Sequence, residues 1–328
     1  MSSNKPVVAV VGGAGYIGSH TAKALHENGF TPVVIDNFST GHHDFVQWGD
    51  YKQCCLSDQE SLTILLNNLK PIAVCHFAAS INVSESVLDP QSYYLNNVKG
   101  TLHLLAAMKY ANITNLIFSS TAAVYGTPQE NLINESHTCN PINPYGCSKY
   151  MMEQIIKDYH HAYGLNYMIF RYFNASGADP DGFIGEDHSP ETHLIPNILM
   201  AARGLKSELT LFGNDYNTPD GTCIRDYIHV SDLARAHVLG LNYILDTKTP
   251  QIMNLGTSAG ISILDLLTEA ESICQSTIPY TIAHRREGDP SLLVADASFA
   301  QSTLSWTPKH SSVHTILNTA WAWLNKRF

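Results

Sequence analysis

The chain has 328 residues, 44% of them hydrophobic, enough for a large core in one long domain or two unequal ones. Its 29 acidic and 19 basic side chains give a formal net charge of −10 without a basic run, which argues against nucleic acid as a partner. No run of 18 apolar residues points to a membrane span, and seven cysteines without a CxxC pair read as the reduced thiols of a cytoplasmic protein.

Met1–Pro6 has no signal-peptide core and leads straight into Val7–Val11, a continuous apolar run that reads as a buried parallel strand. A glycine-rich turn follows, Gly12-Gly13-Ala14-Gly15-Tyr16-Ile17-Gly18. Residues 19–28 then read as a helix closed by Gly29. Strands are expected at 32–35, 72–77 and 116–120, with a long helix over 94–110. Alternating strands and helices predict an α/β fold, a doubly wound parallel (Rossmann) sheet. From Asn174 to Glu191 the chain turns rich in Gly, Asp and Pro, as loops over a site are. Shorter elements follow at 209–212, 252–255 and 263–274. They predict a smaller C-terminal α/β substrate domain over 176–328 beside a nucleotide-binding domain over 1–175, with segments near 225–255 packing back on the first. The sixteen histidines show no HExxH spacing, pairs such as His42-His43 and His160-His161 read as solvated, and no metal is expected.

Gly12, Gly15 and Gly18 lie between a strand and a helix, and Asp36 closes the next strand. Glycines let the backbone approach a pyrophosphate, and the helix N-terminus favours its charge. Asp36 can accept from both adenosine ribose hydroxyls and would repel a 2′-phosphate, so the expected cofactor is NAD and not NADP.

Tyr145 and Lys149 stand one helical turn apart, behind Asn143 as a natural N-cap and Pro144 at the first helical position. A phenol ordinarily ionises near pH ~10, so a tyrosinate useful at neutral pH needs about 4 kcal/mol of help. A lysine about 5 Å away at an effective dielectric of about 20 supplies roughly 3 kcal/mol. Thr121, closing Ser119-Ser120-Thr121 at a strand end, can hydrogen-bond the reacting oxygen. A proton acceptor beside a hydride acceptor describes oxidation of a carbinol.

At these residues the sequence resembles the extended short-chain dehydrogenase/reductases and, within them, the UDP-hexose 4-epimerases. The resemblance rests on GGAGYIGSH from Gly12, DN from Asp36, HFAA from His76, NNVKGT from Asn96, FSSTAAVYG from Phe118, NPYGCSK from Asn143 and RYFNASGA from Arg171. It continues with GEDH from Gly185, LFGNDY from Leu211, DGTCIRDYIHVSDLA from Asp220, NLG from Asn254 and RREGDP from Arg285. It implies reversible inversion at sugar carbon 4 of UDP-glucose and UDP-galactose through a transient 4-keto sugar, with NAD held throughout. Tyr145 would move the proton, Lys149 would lower its pKa and hold the nicotinamide ribose, and Thr121 would orient the 4-oxygen. The cofactor would lie against Gly12, Gly15, Tyr16, Ile17, Gly18, Asp36, Asn37, Phe77, Ala78, Ala79, Asn96, Ser119 and Tyr172. The UDP-sugar would meet Phe173, Asn174, His193, Leu194, Leu211, Phe212, Arg225, Tyr227, Arg286 and Asp289, with Asn174 and the two arginines on the diphosphate. A homodimer is implied, paired through helices at 94–110 and 151–163.

Four positions depart from that pattern. Thr121 replaces a common serine and keeps the hydroxyl. Cys55 replaces an aspartate expected to accept from the adenine amino group, a loss of about 1 kcal/mol. Ile81 stands where some relatives carry lysine. Leu293 stands at the position that gates the sugar 2-substituent, intermediate between a bulky and a small residue, which leaves N-acetylated and pentose substrates open. A dehydratase would need Asp-Glu after Thr121, where this chain has Ala122-Ala123.

Overall fold

The structure is a computed structural model, and it describes residues 5–286 and 289–328. Among the described residues two compact units emerge: residues 5–126, 138–171 and 234–253 form the first, and residues 127–137, 172–233, 254–286 and 289–328 the second.

The first unit is built on seven strands: β1 (Val7–Val11), β2 (Thr31–Asp36), β3 (Asp50–Gln53), β4 (Ala73–His76), β5 (Asn115–Thr121), β6 (Asn166–Tyr172) and β7 (Gln251–Leu255). Their order across the sheet is β7-β6-β5-β4-β1-β2-β3. β1 pairs in parallel with β2 and with β4, so the order reverses beside β1, the point where such sheets bind ligands. The expected doubly wound sheet is therefore present. Its central strands are buried on both faces, which is why Val8, Ala9 and Val10 show no polar alternation.

Helices α1 (Tyr16–Glu27), α2 (Gln59–Leu69), α3 (Gly100–Tyr110) and α4 (Pro144–Tyr163) flank this sheet. Leu62 and Leu66 from α2, Leu104 and Met108 from α3, and Met152 and Ile156 from α4 share one core cluster with Val74, Leu116 and Phe118. The helix expected over 94–110 is not uniform: Tyr94–Lys99 is a π-turn that precedes α3. Such turns aim side chains that a regular helix would turn away. Here Asn97 is fully buried, donating to Ser148 Oγ of α4 at 3.0 Å and to Ser80 O at 3.1 Å.

In the second unit, α5 (Leu194–Ala202), α7 (Ile263–Cys274) and α8 (Val313–Arg327) pack Ile198, Leu266 and Ile316 into a separate core with Leu209 and Leu211. A further helix, α6 (Val230–Thr247), belongs to the first unit from Ala234 onward. Short strands complete the second unit: Leu209–Phe212 pairs with Tyr280–Ala283, and Asn174–Ser176 with Tyr227–His229.

Candidate active site

The glycine turn follows β1. Gly12 sits at φ +79, and a Cβ there would meet Ala78 N at 2.5 Å; one on Gly18 would meet Gly12 O at 2.2 Å. These two glycines are required by the fold itself. Gly15 is different, since a Cβ on it would touch only Gly12 O, at an ordinary 3.5 Å. Packing does not account for this glycine, whereas close approach of a phosphate does. Gly15 is also the N-cap of α1 and offers no side-chain cap, so the turn at Tyr16, Ile17 and Gly18 presents backbone N–H groups suited to an anion.

Asp36 ends β2 with its carboxylate locked, Oδ2 accepting from Ala14 N at 3.0 Å and Oδ1 from Phe38 N at 2.9 Å. Each oxygen keeps a second lone pair for a ribose hydroxyl. Asn37 Nδ2 and Ser57 Oγ both donate to the Cys55 sulfur, at 3.6 and 3.1 Å. Phe77 and Ala78 leave β4 with both N–H groups on Val11 O, which places them beside the glycine turn. Ala79 comes next, and Asn96 donates to Ser80 Oγ at 3.0 Å. These residues fit a dinucleotide with a free 2′-hydroxyl.

Asn143 caps α4 by accepting from Gly146 N at 2.8 Å, with Pro144 at the first position. That cap sets Tyr145 and Lys149 on the first turns, facing the end of β5. Thr121 hydrogen-bonds the Tyr145 phenol and accepts from Ala123 N at 3.1 Å. Lys149 is only 2% exposed, and its Nζ donates to Ser119 O at 2.9 Å.

Burial holds the Tyr145 phenol above its ordinary range, and the Thr121 hydrogen bond offsets that only in part. Lys149 is itself brought down to about 7 by burial, although the Glu153 carboxylate one turn on pulls the other way.

That burial has a measurable consequence. Lys149 holds its proton to about 7 when folded, against an ordinary 10.5. Between those values the unfolded chain binds more protons, so the contribution of this group to stability rises with pH. Lys149→Met removes the penalty. Its melting temperature, relative to the parent protein, is expected to be highest at pH 7 and to lose that advantage towards pH 10. Parallel melting curves across this range would contradict the burial.

Sequence reasoning missed the support behind the pair. Glu153 on α4 is fully buried and takes two bonds from Arg171, Nε at 2.9 Å and Nη2 at 2.6 Å. Ser120 Oγ adds a third at 2.5 Å, and Arg171 also donates to Tyr125 at 3.1 Å. The available signal was position: Glu153 is four residues beyond Lys149, on the same helix face.

In the second unit the other predicted residues have separate surroundings. Tyr172 and Phe173 are buried, and Asn174 Nδ2 donates to Asp226 O at 2.8 Å. Arg225 pairs with the Asp289 carboxylate rather than with its neighbour Asp226. Asp226 is turned inward, onto the N–H groups of Thr257, Ser258 and Ala295. Arg286 stacks over the Phe212 ring at 4.0 Å. Leu211 and Tyr227 lie in the apolar core with Leu194 packed against it, while His193 turns to Glu186. Leu293 pairs in register with Arg225.

A family model described as the NAD dependent epimerase/dehydratase family matches residues 8–256. The chain belongs to that family. A UDP-glucose 4-epimerase of Rhizobium leguminosarum bv. trifolii is 48% identical over 316 residues, covering 96% of each chain. The crystal structure of UDP-glucose 4-epimerase from Brucella ovis in complex with NAD is 49% identical, with a TM-score of 0.95 over 96% of this chain and 97% of that one. The Bifidobacterium longum enzyme, in complex with NAD+ and UDP, is 36% identical, with a TM-score of 0.92 over 98% of both. Two alanines directly follow Thr121 in this chain. Here Ala122 and Ala123 form a short 3₁₀ turn and carry no group able to move a proton.

Proposed function

We propose that this chain is an NAD-dependent enzyme that interconverts UDP-glucose and UDP-galactose by inverting sugar carbon 4. The hydrogen-bonded Thr121–Tyr145 pair at the end of β5 carries the reading. The first compact unit holds the dinucleotide, and the second holds the UDP-sugar. NAD, which the glycine turn and Asp36 would hold, would supply the hydride acceptor and donor. Tyr145 takes the proton of the 4-hydroxyl as the hydride leaves carbon 4, and returns it after the 4-keto sugar has turned about its diphosphate link. Thr121 directs the 4-oxygen. Arg225, Arg286 and Asn174 hold the diphosphate with charge-assisted bonds that an acidic protein otherwise lacks. Arg225 gives up Asp289, and Asp289 is left for the ribose. Proton and hydride both return to the sugar, so nothing is consumed. With alanines at 122 and 123, no residue there serves elimination of water.

The direct test is UDP-galactose given to purified protein without added NAD. UDP-glucose is the expected product, and steady release of reduced cofactor would mark a dehydrogenase instead. UDP-N-acetylgalactosamine in a parallel reaction reads the Leu293 gate: turnover means leucine admits the acetyl group.

Among the described residues no helix is long and apolar enough to cross a membrane. We assign the enzyme to the cytoplasm on its cysteine usage. A homodimer is proposed through the helical run ending at Tyr110 and through α4, where Leu95, Leu102, Tyr110, Met151 and Tyr163 expose apolar side chains. Light scattering is expected to give twice the 36.1 kDa chain mass. A single-chain mass would refute the pairing.

A further inference from the structure

The segment leading into α5 reads Glu186-x-His188-x-x-Glu191-x-His193, a spacing outside the common zinc motifs. All four side chains turn their donor atoms to one point, with every atom within 4.8 Å of the others. The arrangement alternates. His188 Nδ1 faces Glu186 Oε1 at 3.4 Å and Glu191 Oε2 at 3.6 Å, while His193 Nδ1 faces the same two carboxylates at 2.5 and 3.6 Å.

Two explanations compete for this cluster. In the first, two imidazolium ions close an ion-paired ring with two carboxylates. Charge-assisted contacts of that kind settle at about 2.7–2.9 Å, and an imidazole Nδ1 has one proton to give. Here each Nδ1 faces two carboxylates, and only the His193–Glu186 contact is as short as that, the two at His188 standing at 3.4 and 3.6 Å. In the second, the four atoms are ligands. Metal–ligand bonds of about 2.0–2.1 Å in a tetrahedron put neighbouring donors about 3.4 Å apart. The separations of His188 from Glu186 Oε1 and Glu191 Oε2 match that edge, Glu191 faces His193 with its other oxygen, and the Glu186–His193 contact is shorter.

We propose that Glu186, His188, Glu191 and His193 form a binding site for a divalent transition metal, zinc in the first instance. Two neutral imidazoles and two carboxylates balance a dication, so the metal enters as two protons leave. The ligands are held in advance. Glu191 Oε1 accepts from the N–H groups of Thr192 and His193 at 2.7 and 2.8 Å. Glu186 is buried, and its carbonyl accepts from Trp323 Nε1 at 2.9 Å. His193 O accepts from Asn197 Nδ2 at 2.7 Å, which ties the fourth ligand to α5. The metal would fix the loop that leads into this helix, and would hold His193 as a ligand rather than against the UDP-sugar.

The test uses the full-length protein, treated with chelator, dialysed and titrated with Co2+ as a chromophoric probe. One saturable equivalent is expected, with the intense visible bands of tetrahedral cobalt, displaced by one equivalent of Zn2+. His188→Ala and Glu191→Gln are each expected to abolish that equivalent. Zn2+ is expected to raise the melting temperature of the parent protein and of neither variant. No saturable uptake overturns the proposal, as does uptake unchanged in both variants. Should a variant fail to fold, the spectrum of the parent decides: a sulfur-to-cobalt charge-transfer band places the metal on cysteine and overturns the assignment, since this site offers only nitrogen and oxygen.

Discussion

Tyr145→Phe is expected to lower the rate of UDP-galactose conversion by roughly 10³-fold, the scale of losing a positioned proton-transfer group. Phenylalanine keeps the ring and its packing in the first turn of α4, so the fold and the Asn143 cap are retained. What disappears is the oxygen hydrogen-bonded to Thr121, the atom that in the proposed reaction exchanges a proton with the sugar. Lys149 cannot replace it, because its Nζ is engaged with Ser119 O. The rate is followed by product formation, and bound nucleotide is measured on the same preparation. A variant that retains its nucleotide and turns over within about tenfold of the parent would remove Tyr145 from the reaction, since tenfold is only about 1.4 kcal/mol.

Glu153→Ala is expected to cost about 3–5 kcal/mol of folding stability, the usual result of removing one partner of a buried ion pair. Arg171 is only 3% exposed and would lose both bonds to the carboxylate. Its Tyr125 contact does not balance a full charge. Ser120 would lose its acceptor as well, at the end of the strand that carries Thr121. Urea unfolding measures the effect. The double variant Glu153→Met, Arg171→Leu separates charge from volume, since replacing the whole pair by apolar side chains recovers most of the loss. A cost below about 1 kcal/mol for Glu153→Ala would mean that water reaches the pair.

Much of this was legible in the linear sequence. The β-branched run at Val7–Val11, the glycine turn and Asp36 form a local pattern, and the structure places them as read. Tyr145 and Lys149 share a face because helical spacing dictates it, and Asn143 caps that helix because its side chain reaches only three residues. The long helix was harder, since no simple rule of composition marks where Tyr94–Lys99 widens into a π-turn to seat Asn97. Charge state was harder still. A lysine one turn from a tyrosine suggests a stabilised phenolate, and spacing does not show that burial raises the phenol and lowers the lysine.

The sequence by itself determined the doubly wound sheet, the dinucleotide turn and the residues able to carry a proton. Each depends on neighbours within about one helical turn or on strand periodicity, and both are fixed by covalent geometry. Only the tertiary structure decided which distant groups meet. It sent Arg225 to Asp289 rather than to adjacent Asp226, closed Arg171 on Glu153, and turned four side chains near α5 toward one point. Those choices belong to the path of the chain, because burial makes a charged group seek whichever partner the packing brings within reach.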